Sequence, residues 1–419
     1  MLLLAWLNGG GAERVAVHLL NHVDRSRFDL RMALLRRAGP FLQDADQSRI
    51  VSVPEFEKWL DFEGSNSGMY RPDRLVAGAW LGRIAFRRMI RSFEPDVAMS
   101  FQKGTSLIAN AALKPLGAQR PRFIVREGNN TLAVIEEEAQ GALARGAARR
   151  LTAKAYRSAD CVLANSRDMA DGIQADLGLE PERLRVINNP LDLEQVRRLA
   201  AEPVVDPPQR PFLVCVGRLE YQKGQDVLLR AFAGSRARLD HDLVLLGQGS
   251  MERDLRALAA ELGLAKRVRF EGFTANPWAW VARARLYVMP SRWEGFPTAA
   301  AEALACGTPA VLTDCRFGPR DVVEHGRSGW IIPTEDVAAM AEAIDRLAAD
   351  EPLSARLRQA GRARAERFSL EQMVARYEAL FEEQALARLR VAQSPGSQKT
   401  ERARLAASTA SRSGPERGA

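Results

Sequence analysis

The chain has 419 residues, 46% hydrophobic and 27% charged, a length and composition that suit two α/β domains of about 150–200 residues. Five of its eight net positive charges come from seven basic residues set against two acids between Arg388 and Ala419, and no zinc-finger or RNA-recognition motif occurs, which argues against a nucleic-acid partner. The four cysteines (Cys161, Cys215, Cys306, Cys315) form no C-x-x-C pair, and Cys161 and Cys215 fall in apolar runs, which fits buried thiols in a reducing, cytoplasmic compartment.

In chain order, Leu2–Leu7 reads as a first strand. Its apolar run is too short for a membrane span and lacks the basic flank of a signal peptide, and the start lies so near the strand that a true start slightly upstream is expected. Asn8-Gly9-Gly10-Gly11 is a glycine turn and Ala12–Val23 an amphipathic helix; the G-x-G-x-x-G fingerprint is absent because Arg14 stands where its last glycine would be. The turn lets a ligand approach the backbone, or is a tight turn only. His18 and His22 are four apart but without a third ligand, and read as ordinary helix histidines. Further strands are predicted at 28–35, 50–53, 96–100, 122–127, 160–165 and 184–189, with helices between most of them. This alternation predicts a parallel, doubly wound sheet, with ligands gathering beyond the carboxyl ends of its strands. Three polar loops at such ends are candidate acceptor walls: Ser100–Lys103, Arg126–Asn130 and Asn188–Pro190.

Two helices of this half are basic. Leu81–Phe93 carries Arg83, Arg87, Arg88 and Arg91, and Gly141–Ala159 carries Arg145, Arg149, Arg150, Lys154 and Arg157 without an acid. Such helices can lie on anionic lipid, and they equally fit a solvated face above a core stripe.

Residues 201–211 are proline-rich and read as a linker between a domain at 1–200 and a second at 212–370. Strands follow at 212–217, 243–247, 268–272, 285–290, 309–314 and 329–333, with helices at 222–233, 250–262 and 297–305 and from 335 to about 381. A helix at 371–390 is expected to close the fold, and 391–419 lacks an apolar pattern and reads as a basic, disordered tail.

The chemistry gathers in the second half. In Ser291–Val311 two carboxylates, Glu294 and Glu302, are eight apart, one in a Gly/Pro loop and one in the second turn of a short helix. Pro297 suits the first helical position and Gly307 a left-handed cap. The exposed amides at that helix start suit an anion, and flanking carboxylates suit hydroxyls, a combination that points to a sugar nucleotide. Arg218 and Lys223, in one loop after a strand, suit a diphosphate. Gly247-Gln248-Gly249 ends the next strand, and Gly318-Pro319 opens a short helix. Each feature alone is weak, since a loop Arg and Lys are often a solvated pair and a helix Glu is often at the surface. Their common place at neighbouring strand ends is what joins them.

The pieces GGGAERV (9–15), VGRLEYQKG (216–224), LLGQGSMERDL (245–255), VRFEGF (268–273), SRWEGFPTAAAEALACGTPAV (291–311) and GPRDVVEHGRSGWIIP (318–333) resemble the family 4 retaining glycosyltransferases of GT-B fold. The resemblance covers roughly Leu2–Phe381 and is denser in the second half. It implies two facing Rossmann-like domains with a cleft between them, the nucleotide sugar held mainly by the second, and a last helix crossing back to the first. Carried over residue by residue, it implies that Arg218 and Lys223 neutralise the donor diphosphate and stabilise the leaving oxygen, which with Glu294 makes them the catalytic set. Glu302, the second acid of E-x7-E, would hold the ribose hydroxyls. Glu294, with the amides of Gly295 and Phe296, would hold the sugar. Gly217, Gly247, Gly249, Phe273, Pro297 and Thr298 would complete the donor wall, with Gly10 and Gly11 closing on the phosphates. No cofactor and no catalytic metal are implied, and retention follows from front-face attack assisted by the leaving phosphate.

The first half departs from the family. Many relatives have a histidine after a first-domain strand near the donor sugar, whereas His18 and His22 lie in the opening helix. Where one branch shows Ser-Glu-Arg-Asn, this chain has Arg126-Glu127-Gly128-Asn129, which makes Phe101, Glu127 and Asn129 acceptor-side candidates. The resulting expectation is transfer of a hexose or N-acetylhexosamine from a UDP- or GDP-sugar to a glycan, lipid-linked or of the cell envelope, on the cytoplasmic face of a membrane. The alternatives are a sugar-nucleotide 2-epimerase of the same fold and a non-catalytic nucleotide-sugar binder.

Overall fold

The computed structural model describes residues 1–7, 10–53, 72–129, 135–136, 139 and 141–392. Asn8, Gly9, Asn130 and the tail from 393 onward, all part of the sequence expectations, lie outside the described residues.

Strand–helix alternation builds two parallel sheets. The first holds β1 (Leu2–Leu4), β2 (Met32–Leu34), β3 (Ile50–Val51), β4 (Val97–Phe101), β5 (Arg122–Glu127), β6 (Cys161–Ala164) and β7 (Leu184–Val186) in the order 3-2-1-4-5-6-7. The second holds β8 (Phe212–Val216), β9 (Asp242–Leu246), β10 (Val268–Gly272), β11 (Leu286–Met289), β12 (Ala310–Thr313) and β13 (Trp330–Ile332) in the order 10-9-8-11-12-13. Helices connect them: α1 (Gly11–His22), α2 (Pro72–Phe93), α3 (Lys103–Leu113), α4 (Ala142–Ser158), α5 (Arg167–Leu177) and α6 (Leu193–Ala200) in the first half. In the second are α7 (Gln225–Gly234), α8 (Glu252–Glu261), α9 (Pro277–Arg283), α10 (Thr298–Cys306), α11 (Pro319–Val322), α12 (Val337–Ala349), α13 (Glu351–Ala365) and α14 (Leu370–Ala392).

The central strands are continuous apolar runs because each is covered on both faces, the pattern of parallel sheets. Thus Leu3 and Leu2 of β1 enter separate core clusters, as do Leu213 and Val214 of β8. In both sheets the winding reverses beside the first strand, between β1 and β4 and between β8 and β11. Reversal leaves a crevice at the carboxyl ends, where ligands bind in such sheets.

The last helix packs on the first sheet: Leu370, Met373, Val374, Tyr377, Leu380 and Phe381 join Leu2 and Leu4 in one core cluster. The chain crosses out and back side by side, where Leu191 N donates to Phe368 O and Leu370 N to Leu191 O. One second-half residue also enters a first-half core: Phe317, with φ 72°, packs where a side chain on Gly172 of α5 would collide with its ring.

Several boundaries differ from the sequence expectation. The predicted first strand, Leu2–Leu7, shortens to Leu2–Leu4. Pro297 is the residue before α10 rather than its first helical position, while Gly307 takes the expected left-handed cap (φ 78°). The first of the two basic helices begins at Pro72, well before Leu81. The closing helix continues to Ala392, so the expected tail starts two residues later.

Candidate active site

The loop after β11 carries Glu294, and the turn before α7 carries Lys223. Their side chains meet: Lys223 Nζ lies 2.6 Å from Glu294 Oε1, and Ser291 Oγ donates to the same oxygen at 2.7 Å. Glu294 is only 6% exposed, so its charge is matched where water is scarce. Gln222 ties the two loops together, its Nε2 donating to Trp293 O while Arg292 N donates to its backbone oxygen.

Arg218 follows β8 and Gly217, exposed, with one guanidinium nitrogen 3.2 Å from Gln222 Oε1. It lies in the same β8–α7 connection as Lys223. Gly247 and Gly249 follow β9 and pack on the backbone of the loop after β8. A Cβ on Gly247 would strike the Gly217 carbonyl, so the backbones of β8 and β9 can be this close only with glycine there. Phe273 follows β10, whose Gly272 carbonyl accepts from Gly247 N at 2.8 Å, and is 78% exposed.

Glu302 lies one turn into α10, beyond Gly295, Phe296, Pro297 and Thr298. Phe296 is buried against Phe368, ring centroids 5.2 Å apart, and anchors the loop. Burial raises the Glu302 carboxyl above its ordinary value, opposed by the Arg14 guanidinium and the Trp278 indole. Arg14 comes from the other half of the chain, its Nη1 3.1 Å from Glu302 Oε1.

The first sheet's loops close onto this loop. Asn189, after β7, donates through Nδ2 to Thr298 Oγ1 at 3.0 Å, and Asn165 donates to Gly128 O at 3.2 Å. A Cβ on Gly295 would collide with Gly128 O, so the two halves touch backbone to backbone there. Gly10 caps the start of α1 and Gly11 opens it, near Asn189.

The acceptor-side candidates serve mainly as framework. Glu127, 3% exposed, accepts from the amides of Gly128 and Asn129 at 2.9 and 3.1 Å and from the Tyr156 hydroxyl, so it shapes its own loop. Asn129 is held in that turn by its amide. Phe101 is 1% exposed, its ring 5.3 Å beneath the Arg126 guanidinium. Gly128 stands where the related motif has Arg, and a Cβ there would lie 3.2 Å from Arg126 Nη1 and 3.7 Å from Asn165 Nδ2.

Three residues take roles that the sequence motifs did not assign to them. Arg126 is fully buried, donating to the Tyr377 hydroxyl on α14 at 2.8 Å and to Asn189 Oδ1 at 2.6 Å. Glu13, in the first turn of α1, accepts from Gln102 Nε2 at 2.6 Å, while its other oxygen is buried without a hydrogen bond. Burial pushes its carboxyl up to about 7, against pulls from Gln102 and Arg126. The third is Arg14. Glu13 and Arg14 stand in the GGGAER stretch that was read for its glycines alone; charged residues directly after a glycine turn were the available signal.

Two family models match, the first described as Glycosyltransferase Family 4 over residues 9–195 and the second as Glycosyl transferases group 1 over residues 197–364. The chain is 25% identical over 362 residues to a Campylobacter jejuni N-acetylgalactosamine-N,N'-diacetylbacillosaminyl-diphospho-undecaprenol 4-alpha-N-acetylgalactosaminyltransferase, covering 86% of this chain and 93% of that one. It is 31% identical over 179 residues to a lipopolysaccharide 1,6-galactosyltransferase of Salmonella typhimurium, covering 41% of this chain and 47% of the relative. Its fold is similar to that of the lipopolysaccharide outer core galactosyltransferase WaaB (TM-score 0.65, 21% identity, 91% of this chain and 98% of that one). It is similar also to Anabaena HepE in complex with UDP and glucose (TM-score 0.67, 18% identity, 91% and 98%). With two facing parallel-sheet domains and both family models matched in tandem, the chain belongs to the family 4, group 1 glycosyltransferases of GT-B fold.

Proposed function

We propose that this glycosyltransferase moves a hexose or N-acetylhexosamine, with retention, from a nucleoside diphosphate sugar to a glycan acceptor that is lipid-linked or part of the cell envelope. UDP is favoured over GDP as the donor nucleotide, since HepE shares the fold and is described in complex with UDP. The envelope acceptor follows the printed activities of the Campylobacter and Salmonella relatives.

The observation that carries the reading is the Lys223–Glu294–Ser291 cluster at the reversal point of the second sheet, with Arg218 open beside it. In this reading Glu294 accepts from the sugar hydroxyls and Glu302 from the ribose. Arg218 and Lys223 take the diphosphate. As the bond from the sugar's anomeric carbon to the leaving phosphate oxygen breaks, the acceptor oxygen bonds that carbon on the same face. The acceptor proton passes to the leaving phosphate, whose growing charge the two cations stabilise. Those cations take the part a divalent ion would, so no metal is required, and no other cofactor is.

The acceptor lipid would bring the first domain to the cytoplasmic face of a membrane. Supporting this, α4 presents Leu143 (93% exposed) and Leu151 on a helix with five basic residues and no acid. Among the described residues no helix is long and apolar enough to cross a membrane.

A panel of UDP-, GDP- and ADP-sugars, scored with the purified protein for binding and for nucleotide release, tests the proposal. Release that depends on an added glycan acceptor is expected. Interconversion of donor sugars without an acceptor would overturn it.

A further inference from the structure

Arg14 lies on the first domain, yet it forms an ion pair with the second domain's Glu302. Glu302 sits in a pocket where few groups can answer its charge. Tyr287 of β11 and Cys306 at the end of α10 act on it electrostatically, but burial drives both hydroxyl and thiol upward, the thiol to about 12, so both are neutral near pH 7. Trp278 of α9 contributes an indole dipole. Arg14 is therefore the one full positive charge acting on Glu302 among these groups. It reaches across from the first turn of α1, half-exposed, with its guanidinium 5.4 Å over the Phe41 ring. It engages Oε1 of the carboxylate at 3.1 Å.

A carboxylate that accepts both hydroxyls of a ribose needs both oxygens as acceptors; once protonated, one of them becomes a donor. We propose that Arg14 is a positioning residue of the donor site: reaching across the cleft, it is the counter-ion against which Glu302 accepts the ribose hydroxyls, so ribose recognition is complete only while the first domain is seated on the second. This inference rests on the reading of Glu302 as the ribose carboxylate. Closure of the domains then does more than bring an acceptor near, because it completes the nucleotide site itself.

Calorimetric titration with UDP and with its 2′,3′-dideoxy form tests this in the wild type and in Arg14→Met, Arg14→Lys and Glu302→Gln. Arg14→Met is expected to weaken UDP about tenfold, the scale of one charge-assisted contact, and to leave the dideoxy form within about twofold. Arg14→Lys should recover most of the loss, and in Arg14→Met the pH below which UDP binding fails should move upward. Binding of the dideoxy form itself reports a folded site. Equal weakening of both ligands, or of neither, by Arg14→Met overturns the inference. If Glu302→Gln selectively weakens UDP and Arg14→Met does not, Arg14 alone is misassigned. If Glu302→Gln spares UDP, or the wild type binds neither UDP nor GDP, the reading of Glu302 falls and this inference with it.

Discussion

The ammonium of Lys223 lies 2.6 Å from the carboxylate of Glu294, so the cation read as the diphosphate's partner neutralises, in the free protein, the acid read as the sugar's. A donor entering this site must share Lys223 between its phosphates and Glu294. Breaking a buried pair leaves one charge uncompensated, at a cost of about 3–5 kcal/mol. Lys223→Ala is therefore expected to lower transfer at least about tenfold and also to lower the denaturation midpoint. The double variant Lys223→Met, Glu294→Gln should regain stability but not activity. Recovery of both would mean that the pair is structural only.

Gly295 and Gly128 bring the two domains into backbone contact, and a methyl at Gly295 has no room against the Gly128 carbonyl. Gly295→Ala should force the cleft apart and reduce kcat/KM at least about tenfold, more than one lost hydrogen bond would. Small-angle scattering should show a larger radius of gyration. Unchanged kinetics and shape would show that the contact is not part of the working state.

Glu13 should make stability pH-dependent. Its ordinary value is 4.5 and burial lifts it to about 7 in the folded chain. Below pH 4.5 both states hold the proton. As pH rises toward 7 the unfolded chain releases it first, so stability falls across that window, by roughly 3 kcal/mol in all. Glu13→Gln cannot titrate and should be more stable than the wild type at pH 8, with little difference at pH 4.5. Parallel pH profiles of the denaturation midpoints for the two proteins would contradict this.

If α4 meets anionic lipid, reversing Arg149, Arg150 and Lys154 to Glu should abolish sedimentation with phosphatidylglycerol vesicles and spare UDP binding. Each basic residue near such a surface contributes about 1 kcal/mol, so three reversals suffice. Full vesicle binding by the variant would exclude this helix as the contact.

The strands, the donor loop and the Gly307 cap were legible because their signals are local: apolar runs bounded by glycine, and acids at fixed spacing around a small-residue helix. Partners far apart in the sequence were not. Arg14 finds Glu302 across 288 positions of sequence, and Arg126 finds Tyr377 across 251. Neither spacing has a period or motif that a single sequence displays. Glu127, a polar residue at a strand end, turns its carboxylate back to its own loop amides, a contact no motif announces. Phe317 gave no signal either, because one aromatic residue in a loop does not say which of two cores it enters.

In the proposed function the second domain's Glu302, Glu294, Lys223 and Arg218 hold a nucleotide sugar. Turnover of the UDP-sugar that the wild type uses, measured as nucleotide release by wild type and Glu302→Ala at matched folded concentration, tests it most directly. A loss of at least about tenfold is predicted, the worth of one charge-assisted contact to the ribose. Full activity in Glu302→Ala would contradict it.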